Sequence, residues 1–132
     1  MAGVVARGAV RRVRGYRRFA WSGADSECRA WFEAQVRGRG LAYEVDRNGN
    51  QWGWAGDPAA GDAVVTGSHL DSVPDGGAFD GPLGVVSAFA ALDELRRRGA
   101  RLVKPVGIVN FGDEEGPGSA SPVSGPGSPR AR

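Results

Sequence analysis

Gly67-Ser68-His69-Leu70-Asp71-Ser72-Val73, continued by Gly76-Gly77-Ala78-Phe79-Asp80-Gly81, is the stretch on which the reading of this chain turns. It carries the single histidine of 132 residues and follows Ala63 to Ser68, a short run rich in β-branched residues. Bounded by the Asp57-Pro58-Ala59-Ala60-Gly61-Asp62 turn before and a Gly/Asp loop after, that run reads as a strand ending at His69. Beyond the loop, Gly81 to Arg98 has helical period. Val85, Phe89, Leu92 and Arg96 share a ridge, Val86 and Leu95 lie beside it, and Gly99 supplies the stop. Lys104 to Gly112 is mostly apolar, as a parallel strand buried on both faces should be. It runs into a second acidic cluster, Asp113-Glu114-Glu115-Gly116.

Strand, helix, strand in this order predicts two parallel strands joined by a crossover helix. Their carboxyl ends then share one edge of the sheet, where open α/β sheets bind ligands. His69, Asp71, Asp80, Glu114 and Glu115 are all assigned to that edge by topology. Imidazole and carboxylate together suit zinc and similar divalent ions, and one carboxylate can bridge two of them. Asp71 is spaced to accept the second imidazole N–H and fix the tautomer. Adjacent glutamates can divide the work, one binding metal while the other moves a proton. Taken singly, a His-x-Asp is a common structural pair and an Asp-Glu-Glu run a common solvated loop. Their meeting at one edge is what favours a site.

Upstream, Ser22-Gly23-Ala24-Asp25 reads as a helix start, with Cys28, Trp31, Phe32, Gln35 and Val36 on one face and Gly38 or Gly40 as the end. Leu41 to Asp46 and Gln51 to Gly56 read as a hairpin about Asn48-Gly49-Asn50. Trp52 and Trp54 alternate with small residues, so one sheet face is aromatic, and core is preferred to ligand stacking as their role. The length allows one domain at most. Net charge is only +2, but Arg7, Arg11, Arg12, Arg14, Arg17 and Arg18 all precede the first acidic residue, Asp25. That asymmetry raises a nucleic-acid or membrane contact. No aromatic residue is interleaved before Tyr16, however, so a solvated leader is the preferred reading of residues 1–14. Cys28 is the lone cysteine, which excludes an internal disulfide. No apolar run reaches the ~18 residues needed to span a bilayer. The expectation is a cytoplasmic protein with no nucleic-acid or membrane partner. Three stretches are expected: a disordered basic leader over 1–14, a folded part over 15–116, and a disordered Pro/Gly/Ser-rich tail over 117–132.

The motifs quoted above, with Asp46-Arg47-Asn48-Gly49-Asn50 and the surroundings of Trp31-Phe32, closely resemble the hydantoinase/carbamoylase family of amidases. That family includes N-carbamoyl-L-amino-acid hydrolases and allantoate amidohydrolases within the dinuclear-metal peptidase superfamily. The resemblance implies an α/β fold, a partial three-layer sandwich with a mixed, largely parallel sheet. It implies two divalent ions, zinc foremost with Mn, Co or Ni as substitutes. His69 would bind one metal, Asp80 would bridge both, and Glu115 would bind the other. Glu114 would be the general base that activates the attacking water, and Asp71 would back His69. The substrate would be a small N-carbamoyl or ureido compound, and the full-length enzyme a homodimer.

The resemblance also implies two further histidine ligands, which a chain with one histidine cannot supply. The expectation is therefore a truncated, inactive amino-terminal piece. Read one base back, codons for Gly116 through Ser128 can spell ARFGVACLGSRL, which begins with the Ala-Arg-Phe-Gly continuation the resemblance implies. The tail is accordingly expected to be out of frame. The alternative function is a non-catalytic fragment acting as a weak metal-binding or interaction module.

Overall fold

The computed structural model describes residues 15–116. The expected leader over 1–14 and tail over 117–132 lie outside the described residues. The first helix, α1, spans Gly23–Gly38. It starts where Ser22 Oγ accepts from the Asp25 amide, satisfying one of the donors a helix start leaves open. Its buried side chains, Asp25, Cys28, Phe32 and Val36, fall at helical spacing. A hairpin follows, β1 at Ala42–Val45 and β2 at Gln51–Ala55. Its turn is organised by Asp46: Oδ1 accepts the amides of Asn48 and Asn50, and Oδ2 accepts from Asn50 Nδ2 and Trp52 Nε1. Of the three turn residues, Gly49 takes the positive φ (86°). A 3-10 turn at Pro58–Ala60 leads into β3, Val64–His69. Helix α2 spans Pro82–Arg97 and β4 spans Val106–Phe111.

The four strands form one mixed sheet in the order β1-β2-β4-β3. Strands β3 and β4 are parallel, as the strand–helix–strand order predicts, with His69 opposite Phe111. Among the described residues that is the parallel pairing; β1–β2 and β2–β4 are antiparallel. Strand β4 is interior, between β2 and β3, and among the described residues the open flanks belong to β1 and β3. Neighbour order depends on tertiary pairing, which local hydropathy does not encode.

Both helices pack on the same face of the sheet. Phe32 of α1 and Phe89 of α2 meet with ring centroids 5.4 Å apart, and Trp31 meets Phe89 edge-on at 6.2 Å. Cys28, Phe32, Val36, Val85, Ala88, Phe89 and Leu92 close over Ile108 of β4 to make the core. Gly53 is required by this contact, because a Cβ there would stand 2.6 Å from Val36 Cγ2. Trp52 and Trp54 are not part of that cluster. They alternate with the core-facing residues of β2, stack at 5.3 Å, and extend through an edge contact to Phe111 on the opposite face. Of a three-layer sandwich, the described residues thus supply the sheet and one helical layer. Among them, no helix is long and apolar enough to cross a membrane.

Candidate metal centre

Strand β3 ends at His69, and the parallel register delivers the chain after Phe111 to the same edge. There Asp113 adopts φ +58° and turns Glu114 and Glu115 back over the strand ends. His69 Nε2 lies 3.5 Å from Glu114 Oε2 and 4.0 Å from Glu115 Oε1. One ligand atom from each of these three residues falls within 4.8 Å of the others. That spacing lets all three approach a single divalent ion, and a nitrogen with two carboxylates is a donor set zinc accepts.

The other ring nitrogen is fixed from behind. Nδ1 stands 3.1 Å from the Asp71 carbonyl oxygen and 3.2 Å from Asp71 Oδ1. The carbonyl has hydrogen-bonding geometry, while Oδ1 makes an electrostatic contact and no hydrogen bond among the described residues. Both are acceptors, so the Nδ1 position carries the proton and Nε2 faces the glutamates. Asp71 Oδ2 accepts from the Glu115 amide at 3.1 Å, tying the end of β3 to the turn after β4. Gly81 packs on the ring, where a Cβ would come within 2.6 Å of Cε1 and Nδ1; its φ of +83° also favours glycine.

The site holds charge out of water. His69, Asp71 and Ser72 are all buried. Burial opposes the imidazolium, but hydrogen bonding and charge from Asp71, with Glu114 adding, raise the His69 pKa above its ordinary value. Burial likewise opposes the Asp71 carboxylate, yet the contacts to His69 and to the Glu115 amide hold its pKa below the usual range. For Glu115 burial wins: together with Asp80, Glu114 and Asp71 it raises the carboxyl pKa despite His69. A cation placed among the three side chains would relieve that like-charge crowding.

The structure therefore brings His69, Glu114 and Glu115 together, with Asp71 behind the ring. Asp80 is exposed on the loop before Gly81 and lies outside that three-residue group, although its charge is felt at Glu115. Sequence reasoning missed Arg18, which is fully buried beside the turn after His69. Within a run of arginines nothing local marks it out.

A mixed sheet whose parallel pair gathers an imidazole and two carboxylates at one edge defines an α/β protein with a possible metal-binding group. Residues 65–131, just over half of the chain, match the family described as Peptidase family M20/M25/M40, and the chain belongs to that family, which is metal-dependent. It is 43% identical over 91 residues to an allantoate deiminase 2 of Glycine max, covering 67% of this chain and 18% of that protein. It is 34% identical over 103 residues to an N-carbamoyl-L-amino acid amidohydrolase of Geobacillus stearothermophilus, covering 77% and 25%. The fold matches a hydantoinase/carbamoylase family amidase from Burkholderia ambifaria with a TM-score of 0.79 and 36% identity, over 86% of this chain and 28% of that one. The chain thus spans between about a fifth and a quarter of the length of these curated relatives.

Proposed function

We propose that this chain carries the His69/Glu114/Glu115 portion of a metal-dependent amidohydrolase site that cleaves linear carbamoyl or ureido C–N bonds. The observation that carries the reading is the approach of one buried imidazole nitrogen and two carboxylates at the carboxyl end of β3 and β4. The substrate class rests on the relatives' activities, allantoate deiminase and N-carbamoyl-L-amino acid amidohydrolase.

His69 Nε2 would hold one divalent ion and Glu115 the other, with Asp80 shared between them; the imidazole is held in register by Asp71 and the Glu115 segment by its own amide on Asp71 Oδ2. A divalent ion, zinc foremost with Mn, Co or Ni as substitutes, supplies Lewis acidity to the scissile carbonyl when bound. Glu114, half exposed and 3.5 Å from Nε2, takes the proton of the attacking water at its carboxylate. Asp71 keeps the Nδ1 proton in place throughout, which holds Nε2 toward the glutamates.

With one histidine available, the chain by itself supplies an incomplete ligand set and is expected to show little or no turnover. Calorimetric titration with zinc, followed by assays on N-carbamoyl-L-amino acids and allantoate, tests both parts. Zinc binding that disappears in His69→Ala supports the site, and a chain that binds no zinc contradicts it. Hydrolysis by the 132-residue chain alone would uphold the substrate class and overturn the incompleteness.

A further inference from the structure

Arg18 is the one buried arginine or lysine among the described residues, with 0% of its surface exposed. Its Nε donates to the Leu70 carbonyl at 2.7 Å. Its amide donates to Ser72 Oγ at 2.9 Å, and its carbonyl accepts from the Ser72 amide at 3.0 Å. These three bonds bracket Asp71 from both sides. Nη1 and Nη2 are buried and make no hydrogen bond among the described residues. Burying a guanidinium in this way is costly unless nearby charge compensates it. The carboxylates whose fields reach it are Asp71 and Asp80, and the Tyr16 ring lies over it with Cζ 4.9 Å from the centroid.

Its neighbour shows what an ordinary strap contact looks like. Residues 15–18 run beside the loop after β3, paired through Tyr16 and Gly76 by backbone bonds of 3.0 and 3.1 Å. Arg17 joins Asp75 at 3.2 Å at the surface, with both side chains more than 40% exposed. A solvated pair of that kind adds little. The backbone bonds already tether the strap, so fastening it does not require the Arg18 side chain to point inward.

We propose that Arg18 is a positioning residue of the metal centre: its guanidinium and backbone hold Leu70 and Ser72 on either side of Asp71, so that Asp71 keeps the His69 ring with Nε2 turned to Glu114 and Glu115. The inference rests on the metal-site reading for its purpose, but the ring orientation it predicts is observable without metal.

Because His69 is the only histidine, its ring nitrogens give unique signals in a long-range proton–nitrogen NMR spectrum. In the metal-free 132-residue chain, recorded above the pH at which the ring loses its second proton, the Nδ1–H tautomer is expected to dominate. Arg18→Met is expected to lower its population at least two-fold. Val36→Ala, a core change remote from the ring, is expected to lower Tm and leave the tautomer unchanged. If Arg18→Met folds with wild-type ring signals, the proposal is overturned. If it does not fold, Arg18→Lys decides: it keeps a cation but lacks the Nε donor, so a reduced Nδ1–H population supports the proposal and unchanged signals overturn it. With cobalt(II) as the probe, Arg18→Met is further expected to weaken binding about ten-fold. Failure of the wild-type chain to bind cobalt would count against the metal site, leaving the tautomer to judge Arg18.

Discussion

The two ends of the parallel pair β3–β4 treat charge in opposite ways. At the amino-terminal end, Lys104 meets Asp62 at 2.6 Å with side chains 48% and 79% exposed, and Val103 is 86% exposed. A cavity of about 470 Å³ opens there, walled by Trp54, Arg96, Leu102, Lys104 and Pro105. At the carboxyl end His69 and Asp71 are withdrawn from water and crowded by carboxylates. Volume without displaced charge is an indentation; charge held out of water is a place where a ligand changes the energy. The difference has a local cause. The loop after His69 is strapped by residues 15–18 and its end at Gly81 is packed on the ring, whereas the turns at the far end stand open to solvent.

The sharpest way to break this comparison is to remove the imidazole. His69→Ala is expected to weaken zinc binding at least ~100-fold, about 2.7 kcal/mol, while Lys104→Ala leaves it unchanged in the same calorimetric titration. Equal losses from both would erase the distinction between the ends. Asp71→Asn comes next, with a loss of about 10- to 100-fold in zinc affinity expected from disturbing the group behind the ring.

The pH dependence of metal-free stability separates the ends further. The raised His69 pKa contributes stability that is fully present below its unfolded value, ~6.5, and is lost as pH rises through the folded value. The lowered Asp71 pKa contributes stability present above ~3.9 and lost as pH falls through the folded value. Urea midpoints measured against pH should decline on both sides of that window, and His69→Ala should flatten the alkaline side. The smallest effect is expected from Lys104→Ala, a change in unfolding free energy within ~0.5 kcal/mol, because its ion pair is exposed.

Much of this is legible in the amino-acid sequence. The 3.6-residue period of Val85, Phe89 and Leu92, between two short apolar runs, specified strand, helix and strand. From that order alone the meeting of His69 with Glu114 and Glu115 followed. Three things were not legible. That β2 occupies the far flank of β4 depends on which strand finds which partner, and no local pattern records it. That Trp52 and Trp54 lie opposite the helices depends on which face α1 and α2 chose. The burial of Arg18 is set by the Leu70 carbonyl and Ser72, more than fifty residues away in sequence, while Arg17 beside it stays in water.

Anomalous diffraction at the zinc edge, from crystals of the chain grown with zinc, examines the shared edge most directly. Peaks at that edge, one about 2.0–2.2 Å from His69 Nε2 and one about 2.0–2.2 Å from a Glu115 carboxylate oxygen, are the predicted result. No peak at that edge, or an imidazole turned away from the paired glutamates, would contradict it.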